Sequence, residues 1–160
     1  MIDMAQRANA LVVFGVTGDL ARKQILPALY AMVQRGDLSE PVIGVALDDW
    51  TKEQLVQRAR ESIAAAVTTL DETIFSQIAG LLDYVKGDYR EAATFVRLGQ
   101  ALGSHKTPLF YLAIPPSMFM TVVEGLQKAG LSSGARVMVE KPFGHDVASA
   151  HELDEVLHSI

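Results

Sequence analysis

The chain has 160 residues, a formal charge of −5, 49% hydrophobic and 21% charged side chains, and no cysteine. That length and apolar fraction suffice for one compact domain and exclude a disordered chain, and the missing cysteines exclude disulfides, thiol nucleophiles and cysteine metal sites. Without a Lys/Arg block the acidic chain is not expected to bind nucleic acid, and with no basic leader before Asp3 and no apolar run near the roughly 18–20 residues of a membrane span, a soluble, cytoplasmic protein is expected.

Strand and helix patterns alternate along the chain. Ala10-Leu11-Val12-Val13-Phe14 is a short β-branched run that reads as a buried strand, and Gly15-Val16-Thr17-Gly18 turns it. From Leu20 through Ile25, Leu26, Leu29, Met32 and Val33 the apolar residues recur at helical steps until Gly36-Asp37. Pro27 predicts a kink or a restart inside that helix, because it lacks a backbone donor. Pro41 to Leu47 is a second strand, with Asp48-Asp49 at its carboxyl end. Thr51 and Gln54 fit a capping box for a helix running toward Val67. Asp71 caps another helix ending near Gly80, and Leu81 to Val85 is a weaker third strand. After Gly87-Asp88-Tyr89 a helix runs from about Glu91 to Leu102. Leu109 to Ala113 is the fourth strand, stopped by Pro115-Pro116. A helix from about Met118 to Ala129 leads to a fifth strand, Arg136 to Val139, and Val147 to Ile160 reads as a last helix behind Asp146.

Five buried-type strands separated by helices imply a doubly wound parallel α/β sheet with helices on both faces, Rossmann-like, in one dinucleotide-binding domain over residues 1–160. Such sheets bind ligands beyond the carboxyl ends of their strands, where the strand order reverses. At the first of these ends Gly15 and Gly18 allow a sharp turn and let amides approach a pyrophosphate at a helix N-terminus. The spacing is Gly-x-x-Gly, neither Gly-x-Gly-x-x-Gly nor a Walker loop, and a ligand-free turn is the bland alternative. Arg22 and Lys23 sit in the first helical turns, where the dipole disfavours cations and a bound anion would account for them; ordinary surface charge would too.

At the second strand end an acid reads a ribose 2′-hydroxyl and repels a 2′-phosphate. Leu47-Asp48-Asp49, with no cation before Lys52, favours NAD over NADP, although either Asp could instead cap the next helix. Pro115-Pro116 offers a rigid, donor-poor wall or a simple strand stop. Lys141 at the fifth strand end can reach a substrate hydroxyl, a phosphate or a nicotinamide amide, with Glu140 holding its ammonium, or the two form a plain ion pair. His105, His145, His151 and His158 have no metal-ligand spacing, and no metal site or Ser-His-Asp arrangement is assigned.

Three stretches together resemble the N-terminal coenzyme domain of the glucose-6-phosphate dehydrogenase family: Phe14 to Lys23, Leu109 to Pro116, and Val139-Glu140-Lys141-Pro142-Phe143-Gly144, in the same order and spacing. The resemblance spans essentially the whole chain. It implies oxidation of glucose 6-phosphate to 6-phosphogluconolactone with hydride passing to NAD or NADP, in the pentose phosphate pathway. It implies that the pyrophosphate lies on Gly15, Val16, Thr17, Gly18, Asp19, Leu20, Ala21 and Arg22. Leu47, Asp48, Asp88, Tyr89, Pro115 and Phe119 would line the cofactor cleft, and Lys141, beside Glu140, would touch sugar and coenzyme. Family members that use NADP carry an Arg where this chain has Leu47 and often a basic residue where it has Gln24, so NAD or a relaxed preference is expected.

The resemblance further implies that the general-base His and the sugar-phosphate motif of a larger second domain lie beyond Ile160. The chain is then expected to hold coenzyme without turning over glucose 6-phosphate, since a missing general base alone costs about 10²–10⁴ in rate. Self-association stays open. Two other readings stand beside this one: a sugar oxidoreductase of the glucose-fructose oxidoreductase type, which usually opens with Gly-x-Gly-x-x-Gly, and a stand-alone dinucleotide-binding module.

Overall fold

The computed structural model describes residues 8–139. The expected last helix from Val147 and its cap Asp146 lie outside these residues, as do Glu140, Lys141 and three of the four histidines. The strands are β1 (Ala10–Phe14), β2 (Val42–Ala46), β3 (Leu82–Lys86), β4 (Pro108–Leu112) and β5 (Arg136–Val139). They form one parallel sheet in the order β3-β2-β1-β4-β5. The first three strands step outward in one direction, and β4 and β5 continue on the other side of β1. The order therefore reverses between β1 and β4, and the crevice beyond their carboxyl ends is the ligand position this topology favours.

The helices are α1 (Leu26–Gln34), α2 (Lys52–Ala66), α3 (Glu72–Leu81), α4 (Ala92–Leu102) and α5 (Phe119–Lys128). Side-chain alternation divides the core between the two faces of the sheet. Val12, Phe14, Ile43 and Val45 pack with Phe95 and Leu98 of α4 and Val122 and Leu126 of α5. Val13, Val42 and Leu82 pack with Leu29 of α1, Leu55 of α2 and Phe75 of α3. Phe14 anchors the first layer, with ring centroids 5.6 Å from Tyr89, 6.3 Å from Phe95 and 6.0 Å from Phe110. Both faces are covered, which is why the strands read as nearly continuous apolar runs.

Local chemistry sets the helix starts. Thr51 accepts from the Gln54 amide at 3.2 Å and the Gln54 side chain accepts from the Thr51 amide at 2.8 Å, closing the expected capping box. Asp71 Oδ1 accepts from the Thr73 and Ile74 amides at 2.9 and 3.3 Å. Ahead of α1 the chain makes one π-helical turn, Ala21–Ile25, in which the Leu26 amide reaches back five residues to the Ala21 carbonyl. Pro27 then stands in the first turn of α1. A proline cannot donate to the carbonyl four residues earlier and crowds it, so the wider turn hands over to a fresh α-helix where the missing donor costs nothing. Likewise the helix expected from Met118 opens with a short 3₁₀ turn, Pro116–Met118, before α5.

Candidate functional site at the switch point

The turn after β1 is built from both sides. Gly15 has φ +83°, and a Cβ there would run into the Ala113 carbonyl oxygen and come within 2.9 Å of Ile114 Cγ2. The fold itself thus demands glycine at this position. Val16 is fully buried and presses onto the bare Cα of Gly44, where a Cβ would lie 2.6 Å from Val16 Cγ1. The Gly18 amide donates to the Gly15 carbonyl at 3.0 Å, and the Gly18 carbonyl accepts from the Arg22 amide at 3.1 Å. The amides of Asp19, Leu20 and Ala21 are therefore first-turn donors with no acceptor inside the helix.

Gly18 differs from Gly15. Its φ is ordinary, it is exposed, and a Cβ would meet only the Gly15 carbonyl oxygen at 3.4 Å. Nothing inside the fold requires a bare Cα here, whereas a group approaching from solvent onto the turn would. Arg22 is paired with Asp19 at 3.1 Å on the exposed surface, so its charge is already met within the helix.

Beyond β2 the backbone swings Leu47, Asp48 and Asp49 to the surface, Leu47 with 63% of its area exposed. Thr51 supplies the cap of α2, which leaves both Asp carboxylates outside that task. Asp48 Oδ1 accepts from the Thr17 hydroxyl at 2.7 Å. The Asp48 carbonyl accepts from the Tyr84 hydroxyl at 2.6 Å and from the Trp50 amide at 2.9 Å. Side chain and backbone of Asp48 are thus both fixed, with the carboxylate facing the turn. Burial and the neighbouring Asp48 carboxylate push the Tyr84 phenol far above its usual range, so it stays a donor.

Tyr89 reaches under the turn. Its ring stands edge-on to Phe14 and its hydroxyl donates to the Val45 carbonyl at 3.1 Å. Burial pushes its phenol up to about 12. The Asp88 carboxylate is taken by Arg90, through the backbone amide at 2.9 Å, Nε at 3.0 Å and Nη2 at 2.8 Å. These bonds hold its carboxyl down at about 2. A cavity of about 590 Å³ opens at the end of β3, lined among others by Leu47, Lys86, Asp88 and Arg97.

The structure brings Gly15 to Arg22, Leu47, Asp48, Tyr89 and Pro115 to the carboxyl ends of β1, β2 and β4. Pro115 is exposed there, while Phe119, at the start of α5, is only 4% exposed and packs into the core layer of Phe14. Glu140 and Lys141 lie outside the described residues. His105, the one histidine described, turns its Nδ1 to the Leu102 carbonyl at 2.8 Å at the amino end of β4, away from the site.

Three residues at the site escape a reading along the sequence. Lys86, from β3, brings Nζ to 3.4 Å from Asp49 Oδ1. Arg58, from α2, lies with its guanidinium carbon 5.3 Å from the Trp50 ring centroid and its Nη2 3.4 Å from the Thr17 carbonyl oxygen. Tyr84 supplies the clamp on Asp48. None is a close sequence neighbour of Asp48, and no local pattern in the sequence marks them. The site offers backbone donors for an anion, a fixed carboxylate acceptor beside them, and among the described residues no histidine that could serve as a base.

The family model described as "Glucose-6-phosphate dehydrogenase, NAD binding domain" matches residues 12–160. "Glucose-6-phosphate 1-dehydrogenase 1" of Mycobacterium tuberculosis is 44% identical over 153 residues, covering 96% of this chain and 33% of that protein. "Glucose-6-phosphate 1-dehydrogenase" of Saccharomyces cerevisiae is 33% identical, with 95% of this chain and 33% of the relative covered. Among solved structures, the crystal structure of glucose-6-phosphate 1-dehydrogenase from Mycobacterium avium superposes with a TM-score of 0.90 at 46% identity, over 96% of this chain and 34% of that one. A glucose-6-phosphate dehydrogenase in complex with its substrate glucose-6-phosphate gives a TM-score of 0.79 at 29% identity, over 95% and 34% of the two chains. The chain spans about a third of the length of the curated relatives it matches.

Proposed function

Since this chain belongs to the glucose-6-phosphate dehydrogenase family and matches its NAD binding domain, we propose that residues 1–160 form the coenzyme-holding domain for oxidation of glucose 6-phosphate to 6-phosphogluconolactone. The observation that carries this reading is Gly18, a bare Cα that the fold does not need, beside unpaired first-turn amides at the switch point. The bound nicotinamide dinucleotide supplies the hydride acceptor. The chain's part is positional. The turn from Gly15 to Arg22 carries the pyrophosphate, with the first-turn amides of Asp19, Leu20 and Ala21 facing it and the helix dipole behind them; Tyr89 supports the turn from below, and Pro115 borders the nicotinamide end. Lys141, with Glu140 next to it, is assigned to the contact between sugar and coenzyme.

NAD is the preferred coenzyme in this reading. The Asp48 carboxylate, held at 2.7 Å by Thr17, accepts from a ribose 2′-hydroxyl and repels a 2′-phosphate. Leu47 stands where an Arg would attract that phosphate. The chain alone is proposed to bind coenzyme and not to turn over the sugar, as the described residues bring to the site no histidine that could take the C1 hydroxyl proton. Calorimetric titration with NAD and with NADP tests this: tighter NAD is expected, tighter NADP overturns the preference, and no binding of either overturns the reading as a whole. Mixed with NAD and glucose 6-phosphate, the chain is expected to produce no absorbance of reduced coenzyme.

A further inference from the structure

Arg58 occupies an unusual position for a long cationic side chain. It lies on the flank of α2 next to the inward-facing Leu55, Ala59 and Ser62, all buried. From there its side chain runs along the helix to the turn after β1. The guanidinium lies over the Trp50 ring, its carbon 5.3 Å from the centroid, and Nη2 donates to the Thr17 carbonyl at 3.4 Å. Nε is shielded from solvent and has no acceptor among the described residues. A buried donor without a partner costs free energy, and an apolar side chain of similar length would pack here without that cost. Packing of α2 therefore does not account for an arginine.

Its two contacts do. Asp48 is held by two arms: the Thr17 hydroxyl on its side chain, and the Trp50 amide together with the Tyr84 hydroxyl on its carbonyl. Arg58 touches Thr17 in one arm and Trp50 in the other. It ties the turn after β1 to the segment after β2, and so sets the distance across which Thr17 reaches Asp48. The planar guanidinium suits this double contact, a flat face on the indole and an edge to a carbonyl, in a way that a lysine ammonium does not.

We propose that Arg58 is a positioning residue that sets coenzyme selectivity without contacting the ribose: it holds the Thr17 turn so that the Asp48 carboxylate is presented to the 2′ position. This rests on the reading of Asp48 as the ribose acceptor. The sign of the effect separates it from a simple charge effect. If Arg58 acted only as a nearby cation it would attract a 2′-phosphate, and its loss would raise the preference for NAD. As a positioning residue, its loss lowers that preference.

The test compares Arg58→Leu, which keeps apolar packing, and Arg58→Lys, which keeps charge, with the parent chain. Amide exchange at Gly18, whose N–H closes the turn onto Gly15, is followed by NMR without coenzyme, and affinities for NAD and NADP are measured by calorimetry. In Arg58→Leu, protection of the Gly18 amide is expected to fall while that of the β1 and β4 amides holds. The NAD-over-NADP preference is expected to drop about three- to tenfold, the worth of one hydrogen bond in binding. Arg58→Lys is expected to restore neither. Unchanged Gly18 protection, or a preference that stays or rises, overturns the proposal. A parent chain that prefers NADP overturns the role given to Asp48 instead, while the exchange measurement still decides whether Arg58 holds the turn.

Discussion

The hydroxyl of Thr17 and the carboxylate of Asp48 lie 31 positions apart in sequence and 2.7 Å apart in space, joining the turn after β1 to the end of β2. The bond fixes the rotamer of an otherwise exposed acid. Asp48→Ala is expected to weaken NAD about tenfold, the loss of one charge-assisted hydrogen bond, and to leave NADP unchanged or improved. Calorimetry with both coenzymes reads the outcome. An equal loss for both would mean that the carboxylate does not read the 2′ position, since Thr51 rather than Asp48 caps α2.

The two glycines of the turn are expected to respond in opposite ways. Gly15→Ala forces a side chain into the left-handed region and against the Ala113 carbonyl, costing about 1–3 kcal/mol from backbone conformation alone. Its thermal midpoint falls accordingly. Gly18→Ala has ordinary φ and nearly open space, so stability stays within about 0.5 kcal/mol while coenzyme affinity falls. Thermal unfolding paired with coenzyme titration separates the two. Equal affinities for Gly18→Ala and the parent would remove the observation on which the coenzyme site rests.

Asp88 gives the acid side of the stability profile a specific contributor. Arg90 holds its carboxyl down at about 2 in the folded chain, below the value of about 3.9 for an unfolded Asp. A lowered folded value means that the contribution is complete above about pH 4 and is lost as pH falls toward 2. Arg90→Gln removes the guanidinium, and the Asp88 carboxyl then titrates nearer its ordinary value, as followed by carboxyl NMR. The loss of stability between pH 4 and 2 is expected to become shallower in the variant.

Thr51→Ala opens both bonds of the capping box at the start of α2. A loss of about 1 kcal/mol, or roughly 2–4 °C in thermal midpoint for a chain of this size, is expected. Coenzyme selectivity should move little, because the Trp50 amide and the Tyr84 hydroxyl hold the Asp48 carbonyl independently of the cap.

Legibility followed the range of the interactions. The capping box at Thr51, the Asp71 cap, the five strands and the break at Pro27 were readable because each leaves a signal within a few residues: a side chain next to the amides it caps, a short apolar run, or a proline without a donor. The strand bounds moved by one residue at β2, β3 and β4, where hydrogen bonding to the neighbouring strand rather than the apolar run sets the end. Gly15 was readable as a turn, yet its collision with Ala113 needs the β1–β4 pairing. Arg58, Tyr84 and Lys86 were not readable. They reach the end of β2 from a helix and an edge strand, and only the folded sheet makes them neighbours of Asp48. Phe119, given to the cleft by the family resemblance, follows a 3₁₀ turn and is buried in the core layer of Phe14, a placement that only the folded chain shows.

The strand order also has a consequence for how the chain acquires its structure. β1 is central, yet one of its two neighbours, β4, pairs Ala10 with Pro108, so that flank is closed by residues about a hundred positions downstream. A nascent chain that has emerged only through β3 can assemble β1, β2 and β3 with their helices, but it carries an uncovered hydrogen-bonding edge on its most apolar strand. That edge is a template for pairing with another chain until β4 arrives. Chains stalled or truncated before Pro108 should therefore be the ones that aggregate.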